Sequence, residues 1–96
     1  MTWIKTIPSS EADEKLRAAY RWRSAYPPEY GASVPALAEI CKDPGSGISD
    51  SHSLIPDALY HSFAGLGAML QPDLPLERRQ HEMIATLVSV LNECFY

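Results

Sequence analysis

Apolar residues recur along this chain at helical spacing, and no strand of consequence appears. Ala12, Leu16, Ala19 and Tyr20 share one face and predict a first helix over residues 11–25. Ser10 is its expected N-cap, with Asp13 as the acid of a capping box and Pro27-Pro28 as the stop. Val34, Leu37, Ala38 and Cys41 form the stripe of a short second helix that Pro35 opens. Residues 42–51, with Pro44, Gly45 and Gly47, read as a loop. Pro56 then starts a third helix running to about residue 70, with Asp57 at the positive end of its dipole. Leu59, Phe63, Leu66, Met69 and Leu70 lie in it, and after Asp57 it carries no formal charge. A helix apolar or small almost all round is expected to be covered on more than one side, and Gly65 and Gly67 permit close approach of another backbone.

A turn over residues 71–75 leads into a fourth helix whose first half is charged: Glu77, Arg78, Arg79, His81 and Glu82. Its apolar stripe is Leu76, Met83, Ile84, Leu87, Val88 and Leu91. Residues 1–8 carry Trp3, Ile4 and Ile7 and read as an extended arm, closed by Pro8, that packs on this domain or on a neighbouring subunit. The expected architecture is an all-α helical bundle, with residues 1–96 as a single domain.

Composition narrows the function classes. At 46% hydrophobic residues the chain is too apolar to be disordered. A formal net charge of -4 argues against nucleic acid as partner, because phosphate binding needs a cationic surface. The basic clusters Arg21-Trp22-Arg23 and Arg78-Arg79 sit beside acids and read as solvated faces. The longest uncharged stretch, residues 58–71, is too short to span a bilayer, and the N-terminus lacks the apolar core of a secretory signal. Two cysteines, Cys41 and Cys94, do not make a disulfide scaffold. The expected location is cytoplasmic, without membrane contact.

Candidate chemistry is sparse. His81-Glu82 looks like half of a zincin helix, but the second histidine would fall at Ala85, and His52 and His61 have no ligand-like spacing to it. No metal site and no cofactor are expected. Gly45-Ser46-Gly47 has no strand before it, so a serine nucleophile elbow is absent. Cys41 lies on an apolar face and reads as a buried thiol. That leaves Glu82 and Cys94. On one continuous helix they would stand about 18 Å apart along the axis and about 120° apart around it. A helix ending near Leu91, with a turn at Asn92 and a new helix starting at Cys94, would instead bring the thiol back towards the carboxylate. It would also place that thiol at the positive end of a helix dipole, which favours the reactive thiolate. His81, about 100° from Glu82 around the helix, is expected at the surface.

The final segment, Arg79-Gln80-His81-Glu82-Met83-Ile84-Ala85-Thr86-Leu87-Val88-Ser89-Val90-Leu91-Asn92-Glu93-Cys94-Phe95-Tyr96, resembles the signature helix of the carboxymuconolactone decarboxylase superfamily. It looks most like the alkyl hydroperoxidase D-like, peroxidase-related branch. That pattern reads Glu-Met-Ile-Ala, then Val-Ser, then Asn-x-Cys-x-Tyr-Cys and a histidine four residues later. Residues 52–70 are similar to the preceding helix of the branch, and residues 3–8 to its N-terminal arm. The resemblance implies an all-helical, symmetric homo-oligomer that reduces hydroperoxides with thiols, an external dithiol being the reductant. It implies Cys94 as the first cysteine of a Cys-x-x-Cys pair, Glu82 as the carboxylate of a proton relay, and Tyr96 as the aromatic before the second cysteine. Asn92 and His81 would be supporting residues.

The sequence departs from the pattern at its end: Tyr96 is the last residue, and the second cysteine and relay histidine would follow it. The expectation is that these residues form the N-terminal part of a longer domain, with little activity by themselves. Two alternatives stand beside the peroxidase reading. One is a decarboxylase-like enzyme on the same scaffold without redox cycling, against which Cys94 and Asn92 argue. The other is a non-catalytic helical oligomerisation module.

Overall fold

A computed structural model of the protein describes residues 4–32, 34–37 and 47–94. Among the described residues the architecture is all-α, with no strand. Three α-helices, α1 (Glu14–Ala19), α2 (Pro56–Met69) and α3 (Arg78–Leu91), are joined by several 3-10 turns.

The first predicted helix is broken into three pieces. A 3-10 turn at Ser9–Glu11 precedes α1, and a 3-10 helix at Tyr20–Ala25 follows it. The cap is Asp13 rather than Ser10, because Ser10 already lies inside the preceding turn and Ala12 is extended. Asp13 Oδ1 accepts from the Leu16 amide at 2.8 Å, satisfying one of the orphan donors of the first turn. Beyond Ala19 the chain tightens into 3-10 geometry and runs against α2. There the Ala25 carbonyl sits where a side chain on Gly67 would be: a Cβ on Gly67 would lie 2.9 Å from that oxygen. Gly67 is therefore the residue that lets the two backbones meet. Gln71 Nε2 locks the contact by donating to both the Ala25 carbonyl (2.8 Å) and the Gly67 carbonyl (3.0 Å).

The core lies between these two segments. Ala12, Leu16, Ala19 and Leu59 are buried, with Ile7, Tyr20, Trp22, Tyr60 and Phe63 packed around them. The arm docks on its own domain: the Ile7 amide donates to Ser53 Oγ at 2.8 Å, and Ser53 is fully buried. Such a bond removes the penalty of an unpaired buried hydroxyl. Of the short second helix, a 3-10 turn at Pro35–Leu37 is described; Cys41 and residues 42–46 of the predicted loop lie outside the described residues. The end of that loop is ordered by a 3-10 turn at Asp50–His52, whose histidine ring meets Phe63 edge-on, with centroids 5.3 Å apart.

The third predicted helix forms as expected, from Pro56 to Met69, but the other described residues cover it on one side only. Leu59 and Gly67 are its buried residues, whereas Leu66 and Met69 face solvent. The covering is limited because the facing segment, residues 12–25, is itself short and carries its small and aromatic residues on a single side.

Candidate functional site

α3 carries most of the residues that the sequence singles out, and both of its ends are well made. At the start, the Glu77 side chain accepts from the Gln80 amide, and Gln80 Oε1 accepts from the Glu77 amide at 2.8 Å. This reciprocal box satisfies two backbone donors at the helix entry. At the finish, the Cys94 amide donates to the Ser89 carbonyl at 2.8 Å and the Glu93 amide to the Val90 carbonyl at 3.1 Å. Those two bonds define a Schellman ending, with Glu93 in the left-handed region at φ 49°. The helix thus stops at Leu91 and turns at Asn92, where the spacing places its end.

The turn leaves Cys94 exposed, as a free thiol. It does not bring the thiol to Glu82. The Cys94 amide is tied to Ser89, and Glu82 lies seven residues upstream of Ser89, about 10 Å along the helix axis. Glu82 is exposed and pairs with Arg78 one turn back, at 3.4 Å. Asn92 caps α3 through its amide, which donates to the Val88 carbonyl at 3.0 Å. Tyr96 lies outside the described residues.

His81 departs from its expected surface position. It is half-buried, and its Nδ1 is 2.9 Å from the Tyr30 hydroxyl, fifty-one residues away in sequence. Its Nε2 is buried without a hydrogen-bond partner among the described residues. Arg78 reinforces the same junction. Its guanidinium donates to the Glu29 carbonyl at 2.7 Å and lies over the Tyr30 ring, 4.2 Å from the centroid. Sequence reasoning missed Tyr30 as the seat of α3. The available signal was the spacing of Trp22, Tyr26 and Tyr30 at four-residue intervals, which the structure turns into a chain of edge-to-face rings.

The consequence for α3 is an inversion of the usual amphipathic arrangement. Its polar side, through Arg78 and His81, faces the domain, and its apolar stripe points away. Met83, Leu87, Val90 and Leu91 are 63%, 59%, 67% and 73% exposed, and no residue of the helix is buried. Together with Arg79, Glu82, Ile84 and Thr86, three of these line a shallow, largely apolar hollow of about 710 Å³.

Among the described residues no cluster of three His, Cys, Asp or Glu side chains is arranged to hold a metal. No described helix is long and apolar enough to cross a membrane. Comparison with protein-family models, curated proteins and solved structures finds no match for the chain.

Proposed function

We propose that this chain belongs to a thiol-dependent hydroperoxide reductase of the alkyl hydroperoxidase D-like kind, with Cys94 as a redox-active thiol. The observation that carries the reading is the exposed thiol of Cys94, presented directly after the turn that ends α3, inside a segment with the Glu-Met-Ile-Ala, Val-Ser and Asn-x-Cys-x-Tyr spacing. In the reaction, one thiolate attacks the peroxide, cleaving the O–O bond to give a sulfenic acid and releasing the alcohol. A second thiolate displaces hydroxide from that sulfur, forming a disulfide, and an external dithiol returns both sulfurs to thiols. Cys94 is assigned the second of these roles. Glu82, about 10 Å along the helix axis from Ser89, to which the Cys94 amide is bound, is assigned the relay of protons to the leaving oxygen.

The test is turnover of an organic hydroperoxide with a dithiol reductant, comparing the wild-type protein with Cys94→Ser. Loss of turnover in the variant is expected; turnover that survives unchanged rejects the assignment.

A second reading, a helical interaction module without catalysis, draws support from the outward apolar stripe of α3. In that case peroxide leaves the thiol count of the protein unaltered.

A further inference from the structure

We propose that the hollow between the N-terminal arm and the first helical segment binds a small phosphate monoester that carries free hydroxyl groups. The proposal is independent of the peroxidase reading, because no residue of α3 takes part in it. The hollow measures about 450 Å³, a volume typical of small-molecule sites, and is lined by Thr6, Ser9, Arg17, Tyr20, Arg23 and Asp50.

The two arginines meet here because the first predicted helix is broken. Arg17 lies in α1, and Arg23 in the 3-10 helix at Tyr20–Ala25. Along an unbroken α-helix, side chains six residues apart point about 120° away from each other. Instead, three α-helical steps from Arg17 to Tyr20 fall about 60° short of a full turn, and three 3-10 steps to Arg23 complete one. Arg17, Tyr20 and Arg23 therefore share one side of the segment, with about 10 Å of rise between the arginines. The Arg23 guanidinium lies over the Tyr20 ring, 4.8 Å from its centroid, which holds it beside the hollow.

The polar groups around this space are unspent. Among the described residues neither guanidinium makes a hydrogen bond or an ion pair, and the hydroxyls of Thr6 and Ser9 make no hydrogen bond. Asp50 accepts from the Tyr20 hydroxyl through Oδ1 at 3.0 Å, while its Oδ2 has no partner among the described residues. The neighbouring cations are used differently: Lys15 pairs with Asp57 at 3.2 Å, and Arg21 lies over Tyr60, 4.5 Å from the ring centroid.

These groups select the ligand. Guanidinium forks match carboxylate and phosphate oxygens, and the three terminal oxygens of a phosphate monoester suffice for two forks and a hydroxyl. Such a dianion has no donor for the Asp50 carboxylate. An alcohol group elsewhere on the ligand supplies one, keeps the charge on the arginine side and uses the rest of the volume.

Isothermal titration calorimetry of the full chain at neutral pH, with glycerol 3-phosphate and with methyl phosphate as probes, tests the proposal. Glycerol 3-phosphate should bind with a Kd of about 0.1–1 mM, and methyl phosphate, which lacks the alcohol groups, about threefold or more weaker. Arg17→Gln should weaken glycerol 3-phosphate by about tenfold or more. The Arg17 side chain is exposed, so thermal melting of that variant should match wild type. Asp50→Asn should erase most of the preference between the two probes. Absence of binding overturns the proposal, as does an affinity that Arg17→Gln leaves unchanged. Equal affinity for the two probes, or a preference that survives Asp50→Asn, overturns it as well. So does an equal loss in Arg79→Gln, a control on α3, because it would mark the binding as unspecific charge attraction.

Discussion

Two glycines two residues apart in α2 should answer the same substitution with opposite signs. Alanine is the better helix former by about 1 kcal/mol, so Gly→Ala inside an exposed helix normally stabilises. Gly65 meets that condition: a Cβ there has nothing within 4 Å, and Gly65→Ala should gain about 0.5–1 kcal/mol. At Gly67 the added carbon would lie 2.9 Å from the Ala25 oxygen, 3.0 Å from its carbon and 3.0 Å from Tyr26 Cδ2. The carbonyl is backbone and is held by Gln71, and the Tyr26 ring is held edge-on between Trp22 and Tyr30, so neither gives way easily. Overpacking of this kind costs about 1–3 kcal/mol, which outweighs the propensity gain and leaves Gly67→Ala destabilised by about 1–2 kcal/mol. For a domain of this size each kcal/mol moves Tm by about 4–8 °C, so the two variants should melt on the order of 10 °C apart. Thermal unfolding followed at 222 nm measures the gap. A Gly67→Ala protein as stable as wild type would refute the close approach of residue 25 to α2, and with it the packing that positions the core.

Two further outcomes follow from single side chains. Ser53→Ala leaves the half-buried Ile7 amide without its acceptor and should cost about 1 kcal/mol in urea unfolding, with faster hydrogen exchange at Ile7; an unchanged exchange rate would mean that the arm is held by other contacts. The Tyr20 phenol is pushed above its ordinary value by burial first, then by its hydrogen bond and proximity to Asp50, against a smaller lowering by Arg23; burial raises Tyr26 as well. A folded-state pKa above the unfolded one means that the stabilisation is complete below about pH 10 and is lost as pH rises through the unfolded and then the folded value. Tyr20→Phe should therefore flatten part of the fall in urea midpoint as pH rises from about 9.5 upward, and an equally steep fall in the variant would reject the linkage.

The sequence read well wherever a local rule decides the outcome. Pro56 sets the start of α2, and the turn at residues 71–75 separates it from α3. Asn92 marks the end of α3 because the reversal there is made by bonds within six residues. It read less well where two local rules compete. Ser10 and Asp13 are both competent caps, and spacing alone does not reveal that residues 9–11 are spent in a turn of their own. The 3-10 geometry of residues 20–25 was hidden for a similar reason: a face made of Ala19, Tyr20 and their neighbours is compatible with either helix. It failed where the answer depends on distant contacts. The stripe of α3 was legible as a stripe, but its direction is set by Tyr30 and Glu29, about fifty residues upstream, which take the polar side of the helix instead. His81 moved from surface to junction by the same contact.

That inversion bears on what keeps α3 helical. A 14-residue helix is marginal in water by itself, and helices in proteins are held chiefly by burial of an apolar face. α3 buries none of its residues. What it has instead is terminal: a capping box at Glu77, a Schellman ending at Glu93 and a polar anchor at one turn. Each of these acts at an end or near one, while the middle of the helix, from Met83 to Val90, is where the exposed apolar side chains concentrate. The part of α3 least supported by the other described residues is therefore its middle. Glu93 fits the same logic. A non-glycine residue in the left-handed region costs about 1 kcal/mol relative to glycine, and Glu93 takes on that cost to complete the two bonds of the turn.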